Sequence, residues 1–156
     1  MTGSAFWDVT DNHLTVVDEQ AKESLLDVFP RSGTIAVARL DGAALPDEDS
    51  VFLGFYEAFR FPDYFGWNWD ALSDCLRDLG WHTADRYLIL IDHAERALGG
   101  DRRQRRLLFS TLRRAAAEWA NPMLSGRAHP VPFQVVLVCS PEEVDAVRGE
   151  IGVIEG

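Results

Sequence analysis

Cations are scarce in this chain of 156 residues: 15 Lys and Arg stand against 25 Asp and Glu, a formal charge of −10. Such a field repels nucleic acid, because polyanion binding needs clustered cations. It attracts basic partners and raises their on-rate. Cysteine is scarcer still, with only Cys75 and Cys139. One falls in the apolar pattern of a helix and the other at the end of a strand, so both read as small buried hydrophobes and not as a disulfide or metal site. No apolar run approaches membrane-spanning length and no basic, apolar leader opens the chain, so the expected location is the cytoplasm, with no membrane partner. No glycine-rich phosphate loop follows any strand. The stretch from Leu40 to Ser50 is acidic where a nucleotide site would present bare backbone N–H groups. Both points disfavour a doubly wound nucleotide-binding fold, and no cofactor is expected.

What is present fits one ordinary domain over 1–156. The hydrophobic fraction of 47% and charged fraction of 26% suit a packed globule and argue against disorder. Repeats, low-complexity tracts and linkers are missing. Three stretches, 34–40, 86–92 and 133–140, read as strands; the last two are nearly continuous apolar runs, the mark of strands covered on both faces. Helices fall between them, at about 50–60, 69–79 and 102–120. Alternation of this kind implies parallel pairing, and the fold class is α/β: a three-stranded parallel sheet covered by helices. Leu14 to Val17 could add a short strand. Residues 18–28 suit a short helix with Leu25, Leu26 and Val28 on its apolar side, ended by Pro30, Ser32 and Gly33. Ser140 and Pro141 suit the start of a final helix over 141–151. The acidic cluster Asp47, Glu48 and Asp49 precedes a helix and reads as its cap.

The informative stretch is FPDYFGWNWDALSDCLRDLGW at 61–81. Asn68 is a good N-cap and Gly80 a good stop. Asp70, Asp74 and Asp78, four and four apart, share one helix face, where like charges repel by a few tenths of a kcal/mol per pair. Ala71, Leu72, Cys75, Leu76 and Leu79 form the other, core face. Asp70 sits in the first turn, where the helix dipole favours an anion; Asp74 and Asp78 receive less of that compensation. A merely solvated face and a cation-binding face both fit this row. The aromatics Phe61, Tyr64, Phe65, Trp67, Trp69 and Trp81 add weight to the second. They exceed what one helix underside can bury, so several should be exposed, as in binding hot spots. Gly66 in their midst suggests a tight turn.

The run PDYFGWNWDALSDCL at 62–76 resembles the inhibitory segment of the barstar family: proline, acid, two aromatics and glycine, then Asn and a helix carrying Asp-Ala-Leu-x-Asp-Cys-Leu. The order of elements is similar too, over about 34–140, leaving 1–33 as an N-terminal extension and 141–156 as a C-terminal helix. Barstar-like proteins are intracellular inhibitors of secreted, guanyl-specific microbial ribonucleases. The resemblance implies that loop and acidic helix enter the enzyme's active-site groove. It makes Asp74 the dominant anchor, Asp70 the second acidic contact, and Tyr64, Gly66 and Asn68 interface positions of the loop. Phe65, Trp67, Ser73, Arg77 and Trp81 complete the expected partner-binding set. The chain departs from the family pattern at Ser73, where an aromatic is usual, at Arg77, where a neutral polar residue is usual, and at Trp67 and Trp69, which are bulkier. Arg114 stands where a contact glutamate is usual, and two extra residues precede Gly80 and Trp81. These departures bear on which ribonuclease or ribonuclease toxin the chain fits.

Rival readings are an immunity protein or acidic interaction module against another basic protein, and a metal-dependent hydrolase using the aspartate row. One straight helix face cannot wrap an ion, which disfavours the hydrolase. His82, Asp85, Asp92 and His93 have no metal-ligand spacing. His13 and His129 lack the context of a Ser-His-Asp set. The run Arg102 to Arg106, with Arg113 and Arg114, reads as balance for the acidic surface in preference to RNA binding. The expectation is therefore a non-enzymatic inhibitor, acting as a monomer one to one. Its association with a basic ribonuclease should slow as ionic strength rises, because steering is screened beyond ~10 Å at 0.1 M salt. Stopped-flow rates across a salt series check this, and a flat series would mean that the net charge is incidental.

Overall fold

The computed structural model describes residues 14–27, 33–127 and 129–155. Four strands form one sheet: β1 (Leu14–Asp18), β2 (Ile35–Asp41), β3 (Arg86–Asp92) and β4 (Phe133–Cys139). Their order is β1-β4-β3-β2, and every neighbouring pair is parallel. The helices are α1 (Glu19–Leu26), α2 (Glu48–Ala58), α3 (Trp69–Asp78), α4 (Arg102–Ala120), the single turn α5 (Pro122–Ser125) and α6 (Val144–Glu155).

The three expected strands are present and a fourth joins them, so the three-stranded sheet is corrected to four. The reason is tertiary. β1 is only five residues long, a weak local signal, but it pairs from Leu14 with Val135 to Asp18 with Cys139 along an edge of β4. Part of the N-terminal extension is thereby built into the sheet. Expectations at His13, Val28, Pro30 and Ser32 lie outside the described residues.

Strand periodicity divides the core. Tyr87, Ile89 and Ile91 of β3 and Phe133, Val135 and Leu137 of β4 point to the face that carries α2, α3, α4 and α6. Leu88, Leu90, Val136 and Val138 point to the other face, against Val17, Leu25 and Ile35. On that side Lys22 of α1 is buried and held by Glu19 and, at 3.4 Å, by Asp92. The hydrogen bond with Glu19 leads in raising its ammonium above the ordinary lysine value; burial opposes it and Asp92 adds to it. A buried cation without such partners would be strongly destabilising.

Helix ends follow local chemistry with two exceptions. Asp47 and Ser50 form a reciprocal capping box on α2, with Glu48 and Asp49 in its first turn, as expected for a cap. The expected stop at Gly80 moves back one residue. Leu79 takes the left-handed conformation (φ 51°) and stays fully buried, while Asp78 accepts a hydrogen bond from the Gly80 N–H at 3.1 Å. Ser140 makes no side-chain cap; its hydroxyl donates to Glu95 at 3.2 Å, and a 3-10 turn at Pro141–Glu143 leads into α6. The turns after β2 and β3 touch so closely that a Cβ on Gly42 would lie 2.1 Å from the His93 carbonyl oxygen, which only glycine tolerates.

Cys75 and Cys139 are buried free thiols, and burial is the main cause that pushes both up to about 11. Thiol reagents at pH 8 should therefore label the native protein only slowly and the unfolded protein quickly. The native thiols titrate above their unfolded value of 9.0, so their contribution to stability is complete below pH 9 and is lost as pH rises towards 11. A Cys75→Ala, Cys139→Ala variant should lose less stability than the parent across that window; an equal loss would place the alkaline sensitivity elsewhere.

Candidate functional site

α3 is strongly two-faced. Leu72, Cys75 and Leu76 are buried, while Asp70, Asp74 and Asp78 are exposed in one row. At its start, Asn68 accepts from the Ala71 N–H at 2.8 Å and donates from Nδ2 to the Gly66 carbonyl at 3.1 Å, so one side chain fixes both loop and helix. Its far end is fixed by distant residues. Trp119 of α4 donates from its indole N–H to the Leu76 carbonyl at 2.8 Å. Arg127 donates to the Arg77 carbonyl and, at 3.1 Å, to the Asp78 carbonyl, with its guanidinium 3.4 Å from the centre of the Trp119 ring. The carbonyls that a helix leaves unpaired at its C-terminus are thus met by side chains from α4 and beyond.

The loop before α3 divides its aromatics. Tyr64 is 74% exposed and Trp67 45%. Phe61 and Phe65 are buried, and Trp69 and Trp81 are half-buried. Two of the six expected aromatics thus lie open, because α2 supplies a second apolar wall: Phe52 packs 5.0 Å from Trp69, and Tyr56 lies 4.9 Å from Trp67. Trp69 also donates to Gln104 of α4 at 2.6 Å, and Trp81 to the Phe59 carbonyl at 3.0 Å. The tight turn expected at Gly66 is made by its neighbour: Trp67 has φ 56°, a left-handed conformation uncommon for a bulky residue. Tertiary packing supports that strain, since the Trp67 ring sits on Tyr56 and, at 5.0 Å, on Phe65.

The structure brings Tyr64, Gly66, Trp67, Asn68, Asp70 and Asp74 to the exposed surface of the loop and α3, with Arg77 half-buried beside Asp74 and Trp81 half-buried beyond the helix. It does not bring Phe65 or Ser73 there. Phe65 fills the space between Phe61, Phe52 and Tyr56, and the Ser73 hydroxyl is buried with no hydrogen-bond partner among the described residues. Direct contact through these two finds no surface to act on in this conformation.

Arg77 changes the electrostatics of the row. It reaches Asp74 at 2.7 Å and Glu118 of α4 at 2.9 Å, and its Nε donates to the Ser73 carbonyl at 3.2 Å. Asp74 is nonetheless 74% exposed. Sequence reasoning looked to Arg114 for the contribution of α4 and missed Glu118, one turn further on. It also missed Leu124 and Arg127, which with Asp74, Arg77, Asp78 and Glu118 line a shallow concavity of about 330 Å³. The spacing of Arg114 and Glu118 by four residues is the signal that could have found the glutamate.

Other candidate sites resolve into structural pairings. Asp92 holds Lys22 and Arg39; Asp85 accepts from Thr34; His93 meets Asp41 at 2.9 Å; His82 packs edge-on to Phe59. Among the described residues no group of three or more His, Cys, Asp or Glu could hold a metal ion. Arg105 pairs with Glu150 at 2.6 Å, so one of the expected charge-balancing arginines does so directly. No helix among the described residues is long and apolar enough to cross a membrane.

Two variants test which contacts are structural. Trp119→Phe removes the donor to the Leu76 carbonyl and should cost about 1–3 kcal/mol of stability, the penalty of a buried unpaired acceptor. Asp74→Ala should change stability by less than about 1 kcal/mol, since it gives up only an exposed ion pair. Urea denaturation of both compares them directly; the reverse order would show that α3 is held by its charges and not by its far end.

The family described as Barstar (barnase inhibitor) matches this chain over residues 35–138. No curated protein matches it.

Proposed function

The chain belongs to the barstar family, and on that premise we propose that it is an intracellular, non-enzymatic inhibitor of a secreted, barnase-like microbial ribonuclease, binding one to one. One observation carries the reading. A row of exposed carboxylates stands on a helix fixed at both ends, beside the open aromatics Tyr64 and Trp67.

A ribonuclease site must hold a phosphate, and it does so with cationic side chains. A carboxylate on a rigid helix can take the place of that phosphate, with charge-assisted hydrogen bonds to the same groups. Rigidity matters because a carboxylate on a loose segment would lose conformational entropy on docking. Two features of Asp74 support this role: it lies mid-helix, and among the described residues only one of its oxygens is engaged, by Arg77. Asp70 extends the charged row towards the loop. Tyr64 and Trp67, with Gly66 and Asn68 between and beside them, provide apolar contact and backbone groups at the edge of the cleft. Such surroundings exclude water from the charged centre and strengthen it. Occlusion of the active site is inhibition without chemistry, so no residue here has a catalytic role.

Barnase is the test enzyme. The chain should abolish its cleavage of RNA at equimolar amounts, and chelator should make no difference. Asp74→Ala should weaken binding by about 2–5 kcal/mol, mainly through faster dissociation, because it leaves the enzyme's cations buried and unpaired. Barnase paired with its own inhibitor is one of the complexes in which charge pairs of this kind are known to act. Asp70→Ala should weaken binding less and cost some stability through the helix dipole; Asp78→Ala should do least. If Asp74→Ala binds as tightly as the parent, the phosphate-mimic mechanism is wrong for this chain.

A further inference from the structure

Beyond the acidic row, a second feature lies beside it, the single turn α5. Asn121 caps α5 by accepting from the Met123 N–H at 3.0 Å, Pro122 occupies the first turn, and Gly126 closes it in the left-handed conformation (φ 75°). This single turn shows its apolar side chains to solvent: Met123 is 91% exposed and Leu124 62%. Isolated exposed apolar residues are ordinary, but these two are adjacent and their place is specific. Leu124 lines the same concavity as Asp74, Asp78 and Glu118.

The turn is also anchored. Arg127, just after it, bonds the carbonyls of Arg77 and Asp78 and stacks on Trp119. The residues that fix the end of the acidic helix thus fix the position of Met123 and Leu124 beside it. A surface turn with no contact to make gains nothing from having two apolar side chains held outward in this way.

We propose that Met123 and Leu124 form a second apolar anchor of the inhibitory face, towards the opposite end of the aspartate row from Tyr64 and Trp67. The partner it fits is a basic enzyme whose cationic cleft is flanked on its second side by an apolar shelf. This rests on the reading of the chain as a ribonuclease inhibitor, and it deepens that reading: charge selects the cleft, and two apolar ends set register along it. Aromatic residues and methionine are enriched in such interfaces. Methionine suits the task because its flexible thioether adapts to an irregular surface.

The test measures association and dissociation rates with barnase for the parent, Asp74→Ala, and the double variant Met123→Ser, Leu124→Ser, beside melting curves and sedimentation of each. The double variant should melt like the parent, associate at the same rate with the same salt dependence, and dissociate about tenfold faster, as interface truncations act mostly on dissociation. If it dissociates at the parental rate while Asp74→Ala dissociates faster, the second anchor is refuted and the inhibitor reading stands. If the parent binds neither barnase nor any of a panel of other basic secreted ribonucleases, both fall. If the parent self-associates, the double variant does not, and barnase binding is equal in the two, the patch serves a second copy of the chain and the inference is overturned.

Discussion

Everything the candidate site offers depends on how the C-terminal end of α3 is satisfied. A helix of ten residues carrying three aspartates on one face is a poor structure by itself: it is short, its like charges repel, and its last carbonyls are unpaired. Trp119 and Arg127 answer the last problem with three hydrogen bonds to consecutive carbonyls, Leu76, Arg77 and Asp78. Trp119 can do so because it is itself clamped, 4.8 Å from Tyr87 and stacked 5.8 Å from Phe133 on the central strands. The position of the acidic row is therefore referred, through one indole, to the middle of the sheet. With the helix held there and by Asn68 at its start, the aspartates can repel one another without moving.

Much of this was legible where the signal is local. The strands at 86–92 and 133–139 announce themselves as apolar runs, Asn68 and Asp47 as caps, and Asp70, Asp74 and Asp78 as a face by their spacing. What was not legible depends on distance along the chain. β1 is marked by too few residues to be counted as part of the sheet, and its place follows from the open edge of β4, more than a hundred residues away. Leu79 displaces Gly80 as the left-handed residue because its side chain is needed in the core; Trp67 displaces Gly66 because Tyr56 and Phe65 receive its ring. Phe65 turns inward because Phe52, Tyr56 and Phe61 receive its ring, and Ser73 because it shares the buried side of α3 with Leu72 and Leu76. Glu118, Leu124 and Arg127 lie some forty to fifty residues beyond the motif they serve.

The net charge of −10 likewise says less than its distribution. Asp92 pairs with Lys22 and Arg39, Asp41 meets His93, and Asp18, Asp47 and Asp101 cap helices. At Asp41 the backbone hydrogen bond from Ala43 comes first, and His93 second, in holding the carboxyl below its ordinary range. These acids are spent on the fold. The α3 row differs in being aligned, exposed and flanked by apolar groups, and that arrangement, more than the total, distinguishes a binding face from a merely soluble one.

Arg77 is where this face departs most from a simple anionic wedge. Its guanidinium stands between Asp74 and Glu118, and its Nε is taken by the Ser73 carbonyl. A partner cation that approaches Asp74 therefore meets a carboxylate already shared, and the Arg77 charge must be brought up to the partner's own cations. Two consequences oppose each other. On the proposed reading, the shared pair would weaken the local field towards a basic enzyme, yet would order Asp74 before contact and lower the entropy lost on docking. Glu118 tips the balance: with it, two carboxylates face one guanidinium, and the formal charge of the three groups is negative. The free oxygen of Asp74 thus remains an acceptor on a face of net negative charge. A cleft that is cationic throughout gains less from this arrangement than one with room, or an acceptor, for the guanidinium. A built-in repulsive element of that kind is how an interface separates one basic partner from another.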